Sequence, residues 1–533
     1  MSDAVGSLCL VLHAHLPYVR HPEYEYFLEE DWLYEAACET YIPLLRVMDG
    51  LQGDGVPFAL TMSLTPTLLS MMGDGLLQER MRRHIVERIE LSEREMDRTA
   101  GDDDFHPLAQ MYLEHFQSCL EVLDSYQGNL VNGFRRFIEA GSLEAVTCGA
   151  THGFFPLLAH QPETVRAQIN IAADHYESVI GRRPAGIWLP ECGYYPGHEQ
   201  FLAEAGIKFF FIEAHGILFG NPRPRFGTFA PVLCPDAPVV AFGRDVESSK
   251  QVWSAKEGYP GDFAYREFYR DIGYDLEYEY VRPYLGPLGD RKHLGLKYHR
   301  ITGPSEAIDL GRKEPYRPDV ARQRAAEHAA NFLYNREQQA RYAGQVLGCQ
   351  PLVVSPYDAE LFGHWWWEGP MFLDFVFRRA HYDQKAVALT TPSQYLNTNP
   401  VLQRVQPELS SWGYLGYAEF WLNDTNDWIY RHLHQAGERM THLARRFTQP
   451  TDLERRALNQ CARELLLAQA SDWAFIMRTG TMVEYAKKRT SDHLARFERL
   501  FFGLEHGGIE VSFLEECEWR DNLFANIDYT YYR

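Results

Sequence analysis

LCLVLHAH, residues 8–15, is a continuous apolar run that passes directly into histidines. Apolar residues that do not alternate with polar ones are typical of strands buried on both faces, as in parallel sheets. Three further apolar runs pass into a polar residue in the same way: 143–148 before His152, 186–190 before Glu191, and 352–355 before Asp358. The pattern predicts a parallel sheet whose strands end in polar side chains.

Helical patterns separate these runs, for example at 162–180 and 197–205. Alternating strands and helices predict an α/β fold, which we interpret as an α/β barrel. In such barrels the reacting groups lie at the C-terminal ends of the strands. The histidines, Glu191 and Asp358 fall at those ends.

Two regions interrupt the alternation. Residues 76–126 are helical and highly charged, which predicts an inserted helical subdomain beside the barrel mouth. Helical periodicity dominates again in 406–533, which we predict to be a C-terminal helical domain, leaving 1–75 and 127–405 for the barrel. Glycine and proline cluster in 220–243, which predicts a mobile loop near the active face.

The amino-acid composition disfavours several classes of binding partner and cellular compartment. The 533 residues carry a net charge of −21, which disfavours binding to nucleic acid or anionic lipid. The nine cysteines show no CxxC spacing, which disfavours a disulfide framework or a cysteine zinc site. The sequence shows neither a signal peptide nor an apolar run long enough to span a membrane. We therefore expect a protein of the reducing cytoplasm. The aromatic content of 14% is high, and aromatic rings provide stacking surfaces for sugars.

Glu191 and Asp358 are the strongest candidates for chemistry. Glu191 lies among aromatic residues, and Asp358 is followed by three consecutive tryptophans at 365–367. Barrel closure can bring two such carboxylates together, and a carboxylate pair cleaves glycosidic bonds, one attacking the anomeric carbon and the other donating a proton. The tryptophans near Asp358 favour the acid role for this residue, because an apolar setting keeps a carboxyl protonated.

His13 and His15 lie on one face of their strand, because side chains alternate along a strand. Together with His152 they allow two interpretations. The first is hydrogen bonding to sugar hydroxyls beside the cleaved bond, which we prefer because two carboxylates already suffice for the chemistry. The second is a zinc site, as in a metal-dependent hydrolase or deacetylase.

Trp253, Trp412 and Trp421 lie in loop-like segments, and together they predict a stacking path for a long glucan, although each taken singly fits a core position. Asp472 lies inside the apolar run LLLAQASDWAFI. A carboxylate there is costly unless it is paired or faces a cleft, and a local helix cap is the alternative.

Five motifs now come together in chain order: HAHLPY at 13–18, CGATHGFFP at 148–156, WLPECGYYPG at 188–197, SPYDAELFGHWWWEGP at 355–370, and the stretch 412–428. In this order and spacing they resemble the five conserved regions of glycoside hydrolase family 57. Three features resemble its 1,4-α-glucan branching subgroup in particular: the WWWEGP extension, the segment EGYPGDFAYREFYRDIG at 257–273, and SDWAF at 471–475.

The resemblance implies a (β/α)7 barrel with a C-terminal helical domain that completes the cleft. It implies a retaining mechanism with Glu191 as nucleophile and Asp358 as general acid/base, without a metal or cofactor. An α-1,4-glucan would be both donor and acceptor, and the product an α-1,6 branch. The remaining implied site residues surround the cleaved bond or line the donor and acceptor sites: His13, His15, His152, Trp253, Trp412, Trp421 and Asp472.

Chain transfer requires that water be kept from the intermediate, and 220–243 is the expected cover. Branching members tend to carry tyrosine there, whereas this chain has Phe226 and Phe229. This departure leaves an α-amylase or a 4-α-glucanotransferase of the same family as alternatives. A glucan-binding protein without turnover is a further alternative, but both carboxylates are present. The sequence indicates no oligomeric state.

Overall fold

The apolar runs form parallel strands in a computed structural model of the chain, which describes residues 4–254, 257–304 and 308–533. Ten strands occur in the described residues: β1 (Gly6–Ala14), β2 (Leu60–Leu64), β3 (Leu143–Val146), β4 (Gly186–Trp188), β5 (Phe209–Ile212), β6 (Val232–Leu233), β7 (Val240–Gly243), β8 (Leu352–Asp358), β9 (Val387–Leu389) and β10 (Gln403–Arg404).

Seven of these strands close into a barrel. Strands β3, β2, β1 and β8 are parallel neighbours, and so are β4, β5 and β7. Two contacts join the groups: Trp188 N–H donates to Thr147 O at 2.8 Å, and Asp245 N–H donates to Val354 O at 2.8 Å. The ring β1–β2–β3–β4–β5–β7–β8 confirms the predicted α/β class and the (β/α)7 architecture. The short strands β6, β9 and β10 flank this ring.

Helices cover the outside of the barrel and form two added layers. Those up to the last barrel segment are α1 (Asp31–Ala36), α2 (Ile42–Gly53), α3 (Pro66–Gly73), α4 (Gly75–Arg98), α5 (His106–Ser125), α6 (Leu130–Ala140), α7 (Phe155–Leu158), α8 (Pro162–Ile180), α9 (Glu199–Glu204), α10 (Ala214–Leu218), α11 (Val246–Trp253), α12 (Ile272–Asp275), α13 (Tyr278–Val281), α14 (Pro318–Leu347), α15 (Gly369–Tyr382) and α16 (Pro392–Thr398). A π-helical turn, Ala37–Tyr41, joins α1 to α2. The C-terminal helices are α17 (Trp428–Arg446), α18 (Asp452–Ala468), α19 (Ser471–Thr479), α20 (Val483–His506) and α21 (Val511–Arg520).

The layer at the barrel mouth contains more than the predicted 76–126 insertion. Helices α4 and α5 occupy that range, with α4 beginning one residue earlier, at Gly75. The described part of 257–317 adds short helices and turns without a strand of the sheet. This segment is fixed to α4, for example where Tyr298 OH donates to Glu95 Oε2 at 2.9 Å. Sequence periodicity does not find such a segment, because it contains little regular structure.

One continuous apolar core joins the three predicted regions. It includes Leu10 of β1, Leu108 of α5 and Leu465 of α18, all of them fully or almost fully buried. Such continuity means that the C-terminal helices are fixed against the barrel, so their side chains can take part in a site at its mouth. The exact boundaries at 76–126 and 406–533 stay a prediction.

The part of 220–243 that contains Phe226 and Phe229 does not cover the active face, contrary to the prediction. Leu352 N–H, at the start of β8, donates to Phe229 O at 2.8 Å. Phe226 lies nearby in a cavity that Cys349 also lines. Asp358 is at the other end of β8, about 20 Å away at about 3.3 Å per residue. The missing hydroxyls of the two phenylalanines therefore do not bear on water exclusion at the mouth.

Within the described ranges, none of the helices combines the length and the apolar character that a membrane crossing requires.

Candidate active site

Glu191 and Asp358 stand on opposite walls of the barrel mouth. Glu191 follows β4, and Asp358 is the last residue of β8, in register with His13 of β1. In the closed ring, β4 and β8 are separated by at least two other strands in either direction. A carboxylate pair that acts on one glycosidic bond requires such an opposed arrangement.

The backbone at Glu191 is held in an unusual conformation. Glu191 has φ +60° and ψ 23°, and Cys192 has φ +51°. For residues other than glycine, the left-handed region costs about 1–3 kcal/mol each and persists only where the surroundings impose it. Trp412 N–H donates to Glu191 O at 2.9 Å and helps to hold this turn. The turn aims a glutamate that is only 9% exposed into the mouth.

Both oxygens of the Glu191 carboxylate accept hydrogen bonds. Trp412 Nε1–H donates to Oε2 at 2.7 Å, and Ser471 Oγ–H donates to Oε1 at 2.7 Å. Burial raises the pKa of Glu191 to about 7, and the two donors limit this rise because they stabilise the charged form. The two donors favour the ionised form of this buried carboxylate and fix its orientation.

Asp358 has a greater affinity for its proton. Burial raises the pKa of Asp358 well above its usual range, and the negative charges of Glu360 and Glu191 raise it further, against Arg244 and His15. A carboxyl that keeps its proton near neutral pH can donate it to a leaving group. The two carboxyl groups thus differ in pKa, with Asp358 holding its proton more firmly than Glu191, which suits an acid and a nucleophile.

His13 and His152 are buried side by side, each 2% exposed. Their Nε2 atoms are 3.0 Å apart, and His152 Nδ1 is 2.8 Å from Ser471 Oγ. Burial, followed by the positive charge of His15, lowers the pKa of both rings well below the usual value, so both are neutral. The predicted histidines do meet at the mouth, but these two are largely covered.

His15 is paired with Asp472. His15 Nε2 lies 3.0 Å from Asp472 Oδ1, and its Nδ1 lies 3.2 Å from Thr65 Oγ1. Burial lowers the pKa of His15, but the charge and hydrogen bond of Asp472, together with the charges of Glu191 and Glu360, outweigh burial and the net shift is upward. Asp472 is therefore accounted for as an ion-pair partner from α19.

The zinc interpretation of the histidines has less support. His13, Cys148 and His152 place a potential ligand atom each within 4.8 Å of one another. The facing Nε2 atoms of His13 and His152 hydrogen-bond to each other, and His15 has a partner for each nitrogen. A second group of potential ligand atoms, on His15, His152 and Asp472, is already joined by the ion pair between His15 and Asp472.

The predicted tryptophans separate into two groups. The Trp412 ring lies 5.2 Å from Trp188 and 6.4 Å from Trp253, and Trp253 is 48% exposed at the end of α11. These rings form an aromatic wall beside Glu191. Trp421 is only 1% exposed and stacks on Phe154 at 4.9 Å. A ring so covered cannot stack on a glucan, so the structure corrects the prediction for Trp421.

Three site residues were not found from the sequence. Glu360 Oε1 accepts from His15 N–H at 3.1 Å and from the Tyr41 hydroxyl, and Ser471 contacts Glu191. Glu360 follows Asp358 by two residues and Ser471 directly precedes Asp472, so proximity in the sequence to a predicted site residue could have indicated both. Tyr41 lies in the π-helical turn and had none.

Comparisons with known proteins agree with this geometry. Residues 9–408 match the model of Glycosyl hydrolase family 57, and residues 432–532 match the model of the 1,4-alpha-glucan branching enzyme C-terminal region. A 1,4-alpha-glucan branching enzyme of Thermococcus kodakarensis is 34% identical, and the alignment covers 98% of this chain and 78% of that protein.

Two crystal structures have the same fold over their whole length. A novel alpha-amylase from Thermotoga maritima has a TM-score of 0.93 at 46% identity, covering 100% of this chain and 99% of that one. A GH57-type branching enzyme from Pyrococcus horikoshii has a TM-score of 0.88 at 34% identity, covering 99% and 97%. With three quarters of its length matched by the family model and its barrel, carboxylates and motifs in place, the chain belongs to Glycosyl hydrolase family 57.

Proposed function

We propose that this protein is a 1,4-α-glucan branching enzyme that cleaves an α-1,4 bond with retention and transfers the released chain to a 6-hydroxyl. The observation that carries the proposal is the opposed pair Glu191 and Asp358, one carboxylate hydrogen-bonded on both oxygens and the other holding its proton. The match of 432–532 to a branching-enzyme C-terminal model supports the subgroup.

In the first step Glu191 attacks the anomeric carbon. The bond from that carbon to the glycosidic oxygen breaks, and Asp358 gives its proton to the departing 4-oxygen. The glucosyl unit is then an ester of Glu191, and Asp358 is a carboxylate. Retaining enzymes perform this chemistry with carboxyl groups about 5–5.5 Å apart.

In the second step Asp358 acts as a base. It takes the proton from the 6-hydroxyl of an acceptor chain, whose oxygen attacks the anomeric carbon and displaces Glu191. Two successive inversions retain the α configuration. Water in place of the acceptor would give hydrolysis, so branching and amylase activity share the first step and differ in what attacks the intermediate.

The mouth suits a neutral glucan. Trp412 and Trp253 present an aromatic wall, and His15 with Asp472 adds polar groups at the same rim. The net charge of −21 disfavours polyanionic substrates but does not oppose an uncharged chain. We therefore assign an α-1,4-glucan as both donor and acceptor.

The proposal includes a place in the synthesis of branched storage glucan in the cytoplasm. All nine cysteines lie in the described residues as free thiols, eight of them buried, which suits a reducing compartment.

An α-amylase is the second candidate. It is supported by the 46% identity to a Thermotoga maritima structure described as an alpha-amylase, aligned over this entire chain. In that case water, rather than a sugar hydroxyl, would reach the anomeric carbon in the second step.

Incubation with amylose separates the candidates. For a branching enzyme we expect new α-1,6 signals in the proton NMR spectrum without a comparable increase in reducing ends. The total number of glycosidic bonds stays constant, since each cleaved α-1,4 bond is replaced by an α-1,6 bond. An increase in reducing ends without α-1,6 signals would contradict branching and establish an amylase. Redistributed chain lengths without either change would establish a 4-α-glucanotransferase.

A further inference from the structure

Ser471 lies between the nucleophile and the buried histidines. Its hydroxyl oxygen is 2.7 Å from Glu191 Oε1 and 2.8 Å from His152 Nδ1. His152 Nε2 is in turn 3.0 Å from His13 Nε2. A chain of three hydrogen bonds thus runs from β1, through the loop after β3, to the first residue of α19, and ends on Glu191.

The chemistry of these groups fixes the direction of every proton. An ionised carboxylate only accepts, so the Ser471 hydroxyl donates to Glu191. The Ser471 oxygen then accepts from His152 Nδ1–H. A neutral imidazole carries one proton, so His152 Nε2 accepts, and His13 Nε2–H is the donor. His13 Nδ1 is left without a proton and, among the described residues, without a hydrogen-bond partner.

We propose that Ser471 is a positioning residue for Glu191, and that His152 and His13 hold the Ser471 hydroxyl in its donating orientation. The inference rests on the proposed carboxylate chemistry and deepens it. His13 and His152 then act through Ser471, which fits their 2% exposure better than direct contact with sugar hydroxyls does. It also gives the C-terminal helices a part in the first chemical step, because Ser471 begins α19.

The backbone holds Ser471 in place independently of its hydroxyl. Ser471 N–H donates to His152 O at 3.0 Å, and Ala470 forms a bridge with Gly153. Removing the hydroxyl therefore leaves the contact between the two segments intact. A substitution at Ser471 consequently reports on the hydrogen bond to Glu191 rather than on the docking of α19.

The hydroxyl also affects when Glu191 ionises. Other charged or titratable groups lie near Glu191 on the surrounding elements: His15 of β1, Cys148 and His152 after β3, Cys192 after β4, Asp358 of β8, Tyr430 of α17 and Asp472 of α19. Of these groups only His152 hydrogen-bonds to the Ser471 hydroxyl, and it stays neutral because burial and the charge of His15 hold its pKa well below the usual value. Loss of a donor to the charged form raises the pKa of Glu191, and the active enzyme needs Glu191 ionised. The acidic limb of the profile of kcat/KM against pH should therefore move to higher pH.

The test compares Ser471→Ala, Ser471→Cys and Ser471→Thr with the wild-type full chain on amylose, scored by cleavage of α-1,4 bonds. We expect Ser471→Ala to lower kcat by about 10- to 100-fold, the value of a hydrogen bond to a charged group. KM should change by less than about 3-fold, since KM reports mainly on glucan binding. Cysteine, a weak donor of similar size, should behave like alanine, and threonine should restore activity.

Thr490→Val is the matched control, because Thr490 is a buried hydroxyl of α20 that donates only to Ala486 O of its own helix, at 3.0 Å. It should keep the wild-type rate and pH profile. The inference is overturned if folded Ser471→Ala or Ser471→Cys keeps wild-type kcat, or if kcat falls while the acidic limb stays in place. Absence of cleavage by the wild type would instead refute the proposed function, so the two failures are distinct.

Discussion

Glu191→Gln is expected to abolish glucan cleavage, with a fall in kcat of about 10⁴- to 10⁶-fold, as when the nucleophile of a covalent mechanism is removed. An amide of nearly the same shape cannot form the glucosyl ester. It also turns an NH2 group toward one of the donors, Trp412 or Ser471, that now bind the carboxylate. The measurement is the initial rate of α-1,4 bond cleavage, with amylose affinity determined in parallel and expected to survive.

Glu199→Gln is the control for this change. Glu199 is buried two residues beyond the motif at 188–197 and accepts hydrogen bonds from Tyr194 OH at 3.1 Å, Gly197 N–H at 2.8 Å and Gln406 Nε2–H at 3.2 Å. Its variant should retain activity within a few-fold. Cleavage by Glu191→Gln at more than about one hundredth of the wild-type rate would contradict the assignment, since only the nucleophile carries so large a share of the rate.

Asp358→Asn is expected to lower the rate on amylose by about 10²- to 10⁴-fold, the usual contribution of a general acid. The departing 4-oxygen of a glucan needs a proton, whereas fluoride does not. With a maltosyl fluoride the first step should be much less affected, because no proton has to be donated. The measurement is the ratio of the two rates, which should change by at least 10-fold between wild type and variant.

Glu360→Gln serves as the neighbouring control. The Glu360 charge raises the pKa of Asp358, so its removal should lower that pKa. Since Asp358 must be protonated to act as the acid, the basic limb of the kcat/KM profile should move to lower pH.

For Asp358→Asn, equal losses of rate on amylose and on the maltosyl fluoride would contradict the acid role of Asp358.

The barrel and its paired carboxylates were predictable because both leave a local signal. A strand buried on both faces has to be a continuous apolar run, and a polar residue directly after it marks the C-terminal edge, as at Asp358. Asp472 was equally visible, since a charge in an apolar helix requires a partner, and the structure supplies His15.

The remainder of the site depends on contacts between residues far apart in the chain. Ser471 and Glu191 are separated by 280 positions, and a serine at the start of a helix gives no sign of such a partner. Trp421 is of a residue type that often stacks on sugars, but its ring is covered by Phe154. Glycine and proline in 220–243 indicated an irregular segment without indicating which end of the barrel it would reach.

The nucleophile can be identified directly by finding the residue that carries the sugar in the covalent intermediate. Asp358→Asn would be treated with a 5-fluoro-maltosyl fluoride, whose slow turnover lets the glycosyl ester accumulate, and its peptides would be mapped by mass spectrometry. We predict one maltosyl-derived adduct on the peptide containing 186–197, located on Glu191. An adduct on any other carboxylate, or inactivation of the enzyme without an adduct at Glu191, would contradict this prediction.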